Sequence, residues 1–139
     1  MYVILGATGN TGSVAAETLL AKGQKVRVVG RSKERLSKLI ARGAEAFEAD
    51  ATDSAALTKA FTGARAVYAL LPPDPASPHY REHQDEVTNS IAKALEAAGV
   101  THAVVLSSFG ADKADKTGPV LGLHVAEERL ARIPKLNAL

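Results

Sequence analysis

Short runs of Val, Ile, Leu and Ala recur at residues 2–5, 25–29, 44–48, 66–71 and 102–106, and longer segments with helical spacing of apolar positions fill the intervals. Residues 11–22 carry Val14, Ala15, Thr18, Leu19 and Leu20 at that spacing and stop at Gly23, a suitable residue just past a helix end. Residues 33–41 set Leu36, Leu39 and Ile40 on one face ahead of Gly43, and residues 54–61 form a short helix with Asp53 as N-cap and Gly63 as stop. Residues 80–98 align Val87, Ile91, Leu95 and Ala98 along one stripe before Gly99. Each strand after the first is therefore reached through a helical crossover. Runs apolar on both faces and joined by helices suit a parallel sheet covered on two sides, and right-handed crossovers make it doubly wound. The expectation is an α/β fold of five to six parallel strands with helices on both faces, residues 135–139 opening the last strand. The one proline-dense stretch, residues 72–78, follows a strand at its carboxyl end, where such folds bind ligands.

Between the first strand and the first helix stands Gly6-Ala7-Thr8-Gly9-Asn10-Thr11-Gly12, a G-x-x-G-x-x-G run. A pyrophosphate needs close backbone approach and unpaired amides. Glycine supplies the first by lacking a Cβ, and a helix N-terminus supplies the second with a favourable dipole. Gly6 makes the turn, Gly9 lets phosphates approach and Gly12 lets the helix pack on the strand. Without a ligand the same segment would be a tight turn, but its place at the head of a β-α-β-α-β pattern favours dinucleotide binding. The tip of the second strand then selects the dinucleotide, because an acidic residue there binds ribose hydroxyls and a basic one pairs with a 2′-phosphate. The chain reads Val28-Val29-Gly30-Arg31-Ser32-Lys33, with no carboxylate at the tip, so NADP(H) is expected over NAD(H), held by Arg31.

Composition narrows the field further. The 139 residues are 46% hydrophobic, enough for one core and too few for two ordinary domains. A net charge of +2 from scattered basic residues, with 4% aromatic residues, offers neither an electrostatic footprint nor stacking platforms for nucleic acid. The absence of cysteine excludes disulfides, thiolate nucleophiles and cysteine metal sites. No run of eighteen apolar residues occurs, and the expectation is a cytoplasmic protein without membrane contact. His79 and His83 stand at i and i+4 but lack a third metal ligand and read as a solvated first helical turn. Ser107 and Ser108 end the fifth strand on the ligand-facing edge, where one of them can bond substrate or the nicotinamide carboxamide and capping of the next loop is the plainer use. Asp50 and Asp53 have separate uses, adenine contact and helix capping.

The glycine loop, the arginine after strand two, Asp50-Ala51-Thr52-Asp53, the segment from Val104 to Ala111 and His124-Val125-Ala126-Glu127-Glu128 together resemble the NmrA-like group of atypical short-chain dehydrogenases, which have a Rossmann fold. The resemblance runs from Tyr2 to about Ile133. It implies that Gly6, Thr8, Gly9, Asn10, Thr11 and Gly12 hold the pyrophosphate and that Arg31 holds the 2′-phosphate. It also implies that Asp50 and Ala51 lie near adenine, that Leu70, Leu71 and Pro72 run along the cofactor, and that Ser107 and Ser108 lie near the nicotinamide. Two departures stand out. The Tyr-x-x-x-Lys pair of carbonyl-reducing members is missing, Val120 and His124 taking those places, which disfavours the alcohol-dehydrogenase mechanism. His124 is either a proton donor to a reduced quinone or a polar residue near a helix start. Family members also continue into a small C-terminal substrate domain, so the expectation is one NAD(P)-binding domain over residues 1–139 with that domain absent. The implied activity is hydride transfer from NADPH to a quinone or similar small-molecule acceptor. The alternative is a non-catalytic regulator that senses the dinucleotide. An uncovered sheet would invite association into a homo-oligomer.

Overall fold

The computed structural model describes residues 1–74 and 76–139, and Pro75, inside the proline-dense stretch, lies outside the described residues. Six strands, β1 (Tyr2–Leu5), β2 (Val26–Gly30), β3 (Glu45–Glu48), β4 (Ala66–Ala69), β5 (His102–Val105) and β6 (Asn137–Ala138), form one sheet in the order β3-β2-β1-β4-β5-β6. Every neighbouring pair is parallel. This is the Rossmann order, and the chain reverses direction across the sheet between β1 and β4. The crossovers carry α1 (Asn10–Ala21), α2 (Lys33–Ile40), α3 (Ser54–Phe61), α4 (Tyr80–Ala97) and α5 (Leu121–Ala131), the last preceded by a single 3₁₀ turn at Gly118–Val120.

Alternation along the strands divides the core in two. Val3 and Leu5 of β1, Val29 of β2 and Val67 of β4 pack with Leu57 and Phe61 of α3, Val87, Ile91 and Leu95 of α4 and Leu130 of α5. Ile4, Val26 and Val28 face the other way onto Ala16 of α1 and Leu36 and Leu39 of α2. Helices thus cover both faces, but unequally. Ile4, Tyr68 and Val104 are register partners across β1, β4 and β5 and lie on the α1–α2 face. Past α1 that face is open, leaving Val104 47% and Leu106 42% exposed.

One boundary beside the site differs from the sequence reading. The fourth strand ends at Ala69, where the Ala69 carbonyl accepts from Leu106 N at 2.9 Å, and Leu70 and Leu71 already belong to the loop. The edge strand β3 keeps Glu45 and Glu48 exposed, charges that discourage pairing with another sheet. Asp53 caps α3 as anticipated, its Oδ1 accepting from Ala56 N at 2.9 Å.

On β2, Arg27 reaches across the sheet. Its Nη1 donates to the Ala60 carbonyl at 2.7 Å, and its Nε donates to Glu45 Oε1 at 3.0 Å. A cation therefore meets the negative end of α3 and ties that helix to two strands. Helices α4 and α5 meet at Gly122, where any Cβ would collide with the Gln84 side chain, while Gln84 Nε2 donates to the Pro119 carbonyl at 3.0 Å.

Candidate functional site

The glycine loop bends because Gly6 adopts φ +72°, a conformation that side chains rarely adopt, with Leu70 packed over its α-carbon. Gly9 N returns a hydrogen bond to the Gly6 carbonyl at 3.0 Å and Gly9 then serves as N-cap of α1, with no side-chain cap. The amides of Asn10, Thr11 and Gly12 have no backbone partner among the described residues, so the helix start presents a row of free N–H donors. Gly12 is buried against the loop, and a Cβ there would run into the Gly6 carbonyl oxygen. Thr8, Gly9 and Asn10 are exposed. Thr11 is held from the sheet by Tyr68, whose hydroxyl donates to Thr11 Oγ1 at 2.8 Å.

A cleft of about 260 Å³ opens beside this loop at the carboxyl ends of β1, β2 and β3. Gly6 and Thr8 form one wall, Gly30 and Arg31 the tip of β2, Asp50 and Ala51 the exit of β3, and Pro72, Pro73 and Asp74 the exit of β4. Thr52 N and Thr52 Oγ1 donate to Asp50 Oδ1 at 2.9 and 2.7 Å. These bonds, backbone first, hold the Asp50 carboxyl below its ordinary range; burial opposes them, and the nearby Arg31 guanidinium assists.

The remaining residues singled out in the sequence lie elsewhere. Leu71 turns inward and packs on the larger core, so of the pair after β4 only Pro72 faces the cleft. Ser107 lines a separate groove of about 660 Å³ with Glu127 and Leu130 of α5 and the segment from Leu136 to Leu139, and its buried Oγ has no hydrogen-bond partner among the described residues. Ser108 is exposed, and its carbonyl accepts from Ala111 N at 3.1 Å. His124 Nδ1 bonds the Ala111 carbonyl at 2.7 Å, and its Nε2 lies 3.9 Å from Glu128 Oε1. A carbonyl can only accept, so Nδ1 carries the proton and His124 pins the loop between β5 and α5. These three side chains do not line the cleft.

His83 is the residue that sequence reasoning missed. Of the two histidines opening α4, His79 stays exposed beside Glu82, whereas His83 is half-buried and lines the cleft with Asp74. A spacing of four residues could not separate them, because which one turns inward depends on how α4 packs on α3.

The sequence matches the NAD(P)H-binding family over residues 6–132. The chain belongs to that family. This NAD(P)H-binding chain has the fold of several solved reductases. It aligns with the triphenylmethane reductase of Citrobacter sp. complexed with NADP(H) at TM-score 0.82 and 24% identity, over 96% of this chain and 47% of that one. An NADPH-dependent quinone oxidoreductase from Escherichia coli complexed with NADPH gives TM-score 0.81 and 24% identity, over 99% and 47%. An anaerobillin reductase from Escherichia coli O157:H7 gives 0.77 and 21%, over 99% and 69%. The chain spans about half the length of the first two. No curated protein sequence matches it. Among the described residues no helix is long and apolar enough to cross a membrane.

The residues present fit the dinucleotide. The buried Gly12 would lose its place to any Cβ, the first-turn amides of α1 are free, and the cleft adjoins both.

Proposed function

We propose that this chain binds NADPH in preference to NADH and is the cofactor-binding part of an oxidoreductase of the NmrA-like type, with a quinone or similar small molecule as acceptor. The observation that carries the reading is the position of Arg31: directly after β2 it lines the same cleft as the glycine loop, and no carboxylate stands at that strand tip. Asp50, the neighbouring acid, has one carboxylate oxygen engaged by Thr52, which turns it toward a base-contacting role away from a ribose-binding one.

In this reading the amides of Asn10, Thr11 and Gly12 hold the pyrophosphate, Thr8 and Gly9 border it, and Arg31 pairs with the 2′-phosphate by charge-assisted bonds. Ala51 and Pro72 border the adenosine. Bound NADPH supplies the hydride; the protein supplies position and a dry surface. His124, in α5, has its Nδ1–H held by the Ala111 carbonyl, which leaves Nε2 as the ring atom that takes up and passes on a proton, and Ser107 and Ser108 border the nicotinamide end. Two structural neighbours, a quinone oxidoreductase and a triphenylmethane reductase, support a small-molecule acceptor.

Titration of the purified chain with NADPH and NADH at low salt, wild type beside Arg31→Ala, tests the reading. Tighter NADPH binding that falls roughly 10- to 100-fold to the NADH value in the variant is expected, the range for lost charge-assisted hydrogen bonds. Equal affinities in the wild type refute the preference.

A second reading is a regulator that binds the dinucleotide without turnover, which, like a quinone reductase, needs no tyrosine acid. Val120 stands in the short 3₁₀ turn before α5, where carbonyl-reducing members of the group place the tyrosine acid. Acceptor-dependent oxidation of NADPH by the protein separates the two: turnover with quinones supports the enzyme, and tight binding without turnover supports the regulator.

A further inference from the structure

The cleft wall contributed by α4 presents an imidazole that neither the glycine loop nor the Arg31 contact requires. His83 lies in the first turns of α4, half-buried, and lines the cleft with Asp50 and Arg31. Its ring nitrogens have no hydrogen-bond partner among the described residues, unlike those of His102 and His124, while the His79 ring lies beside Glu82. Asp50 is similarly half-committed: both bonds from Thr52 end on Oδ1, and Oδ2 has no protein partner among the described residues. An unpaired acceptor and an unpaired donor thus share one small concavity.

That pairing has a chemical complement. Adenine presents an amino donor, N6, directly beside a ring-nitrogen acceptor. A carboxylate oxygen paired with an imidazole N–H offers the reverse pattern, acceptor beside donor. Resting on the dinucleotide reading above, we infer that His83 reads the base of the cofactor, its ring N–H donating to an adenine ring nitrogen while Asp50 Oδ2 accepts from the exocyclic amine. His83 and Asp50 line the same cleft. Pro72 and Pro73 form the wall from the β4 side, apolar surfaces against which a flat base can lie. Arg31 then reads the ribose phosphate and His83 with Asp50 the base, so phosphate preference and base preference are separable.

The test measures binding of NADPH, NADH, reduced nicotinamide mononucleotide and the hypoxanthine analogue of NADPH to wild type, His83→Ala, His83→Gln and Arg31→Ala. Replacing the amine by a carbonyl oxygen sets two acceptors face to face, so wild type is expected to bind the hypoxanthine analogue at least about tenfold more weakly than NADPH. His83→Ala is expected to weaken NADPH and NADH by the same factor, about fivefold, the loss of one hydrogen bond, leaving the NADPH to NADH ratio unchanged. His83→Gln, which keeps an N–H donor, should recover most of that loss, and the mononucleotide, which has no adenine, should bind all His83 variants alike. A changed NADPH to NADH ratio in His83→Ala would overturn the assignment, as would unaltered affinity or an equal loss for the mononucleotide. Failure of the wild type to bind any dinucleotide would remove the parent reading and this one with it, whereas normal binding with an indifferent His83→Ala removes this one alone.

Discussion

At the scale of single residues the site is built from short polar side chains that first satisfy the backbone and only then face a ligand. Asp50 is the clearest case, because its carboxylate closes a local turn with Thr52 before it lines the cleft. Those bonds favour the ionised form and lower its pKa, so the folded chain holds the proton less tightly than the unfolded one. The stabilisation is therefore fully present above the usual carboxylate range, around pH 4, and is lost as pH falls through the lower folded value. Melting temperatures of wild type and Asp50→Asn measured from neutral pH downward are expected to converge in acid, and a gap that persists unchanged would contradict this role. Asp53, three residues later, spends its carboxylate on the α3 amide of Ala56, and its spacing ahead of residues 54–61 made that use readable in advance. No such local signal marks His83.

At the scale of elements, the turn from β1 into α1 is the unit that couples fold to cofactor. Gly6 bends the chain under Leu70, and Gly12 lets α1 lie against the loop with no side chain between them. Gly12→Ala forces a Cβ onto the Gly6 carbonyl oxygen, with Ala7 Cα at 3.1 Å, and both contacts are backbone that cannot swing aside. The variant is expected to lose about 1–3 kcal/mol in denaturant unfolding, the usual cost of overpacking. Because the same shift misplaces the first-turn amides of α1, NADPH affinity should fall by more than about tenfold. Normal stability and normal titration together would show that the loop has slack that its contacts do not suggest. A second coupling lies in α4, whose packing against α3 turns His83 into the cleft and leaves His79 outside.

At the scale of the whole molecule the two faces of the sheet are unequally dressed. The face bearing α3, α4 and α5 encloses the larger core, whereas α1 and α2 cover only the β1, β2 and β3 side of the opposite face. The row that continues from Ile4 through Tyr68 to Val104, with Leu106 beyond it, brings apolar surface to solvent. Apolar patches of this kind promote association. The chain on its own is expected to self-associate with rising concentration, and Val104→Lys with Leu106→Lys should shift it toward monomer without loss of the fold. Analytical ultracentrifugation of both proteins checks this, and a wild-type monomer at every concentration would refute it.

Periodicity and punctuation were enough to establish the α/β class, the parallel sheet and the glycine loop, because each depends on neighbours within about one turn or one strand. The alternation of Val3, Ile4 and Leu5 and the stops at Gly23, Gly63 and Gly99 are of that kind. Arg31 was legible too, since the strand tip it follows is itself a local feature. Tertiary structure alone decided the rest. Leu71 went to the core while Pro72 faced the cleft, Ser107 turned toward α5 and β6, His124 closed on Ala111, and His83 joined Asp50. Each outcome depends on the angle at which a helix or loop meets the sheet, and that angle is set by packing between residues far apart in the chain.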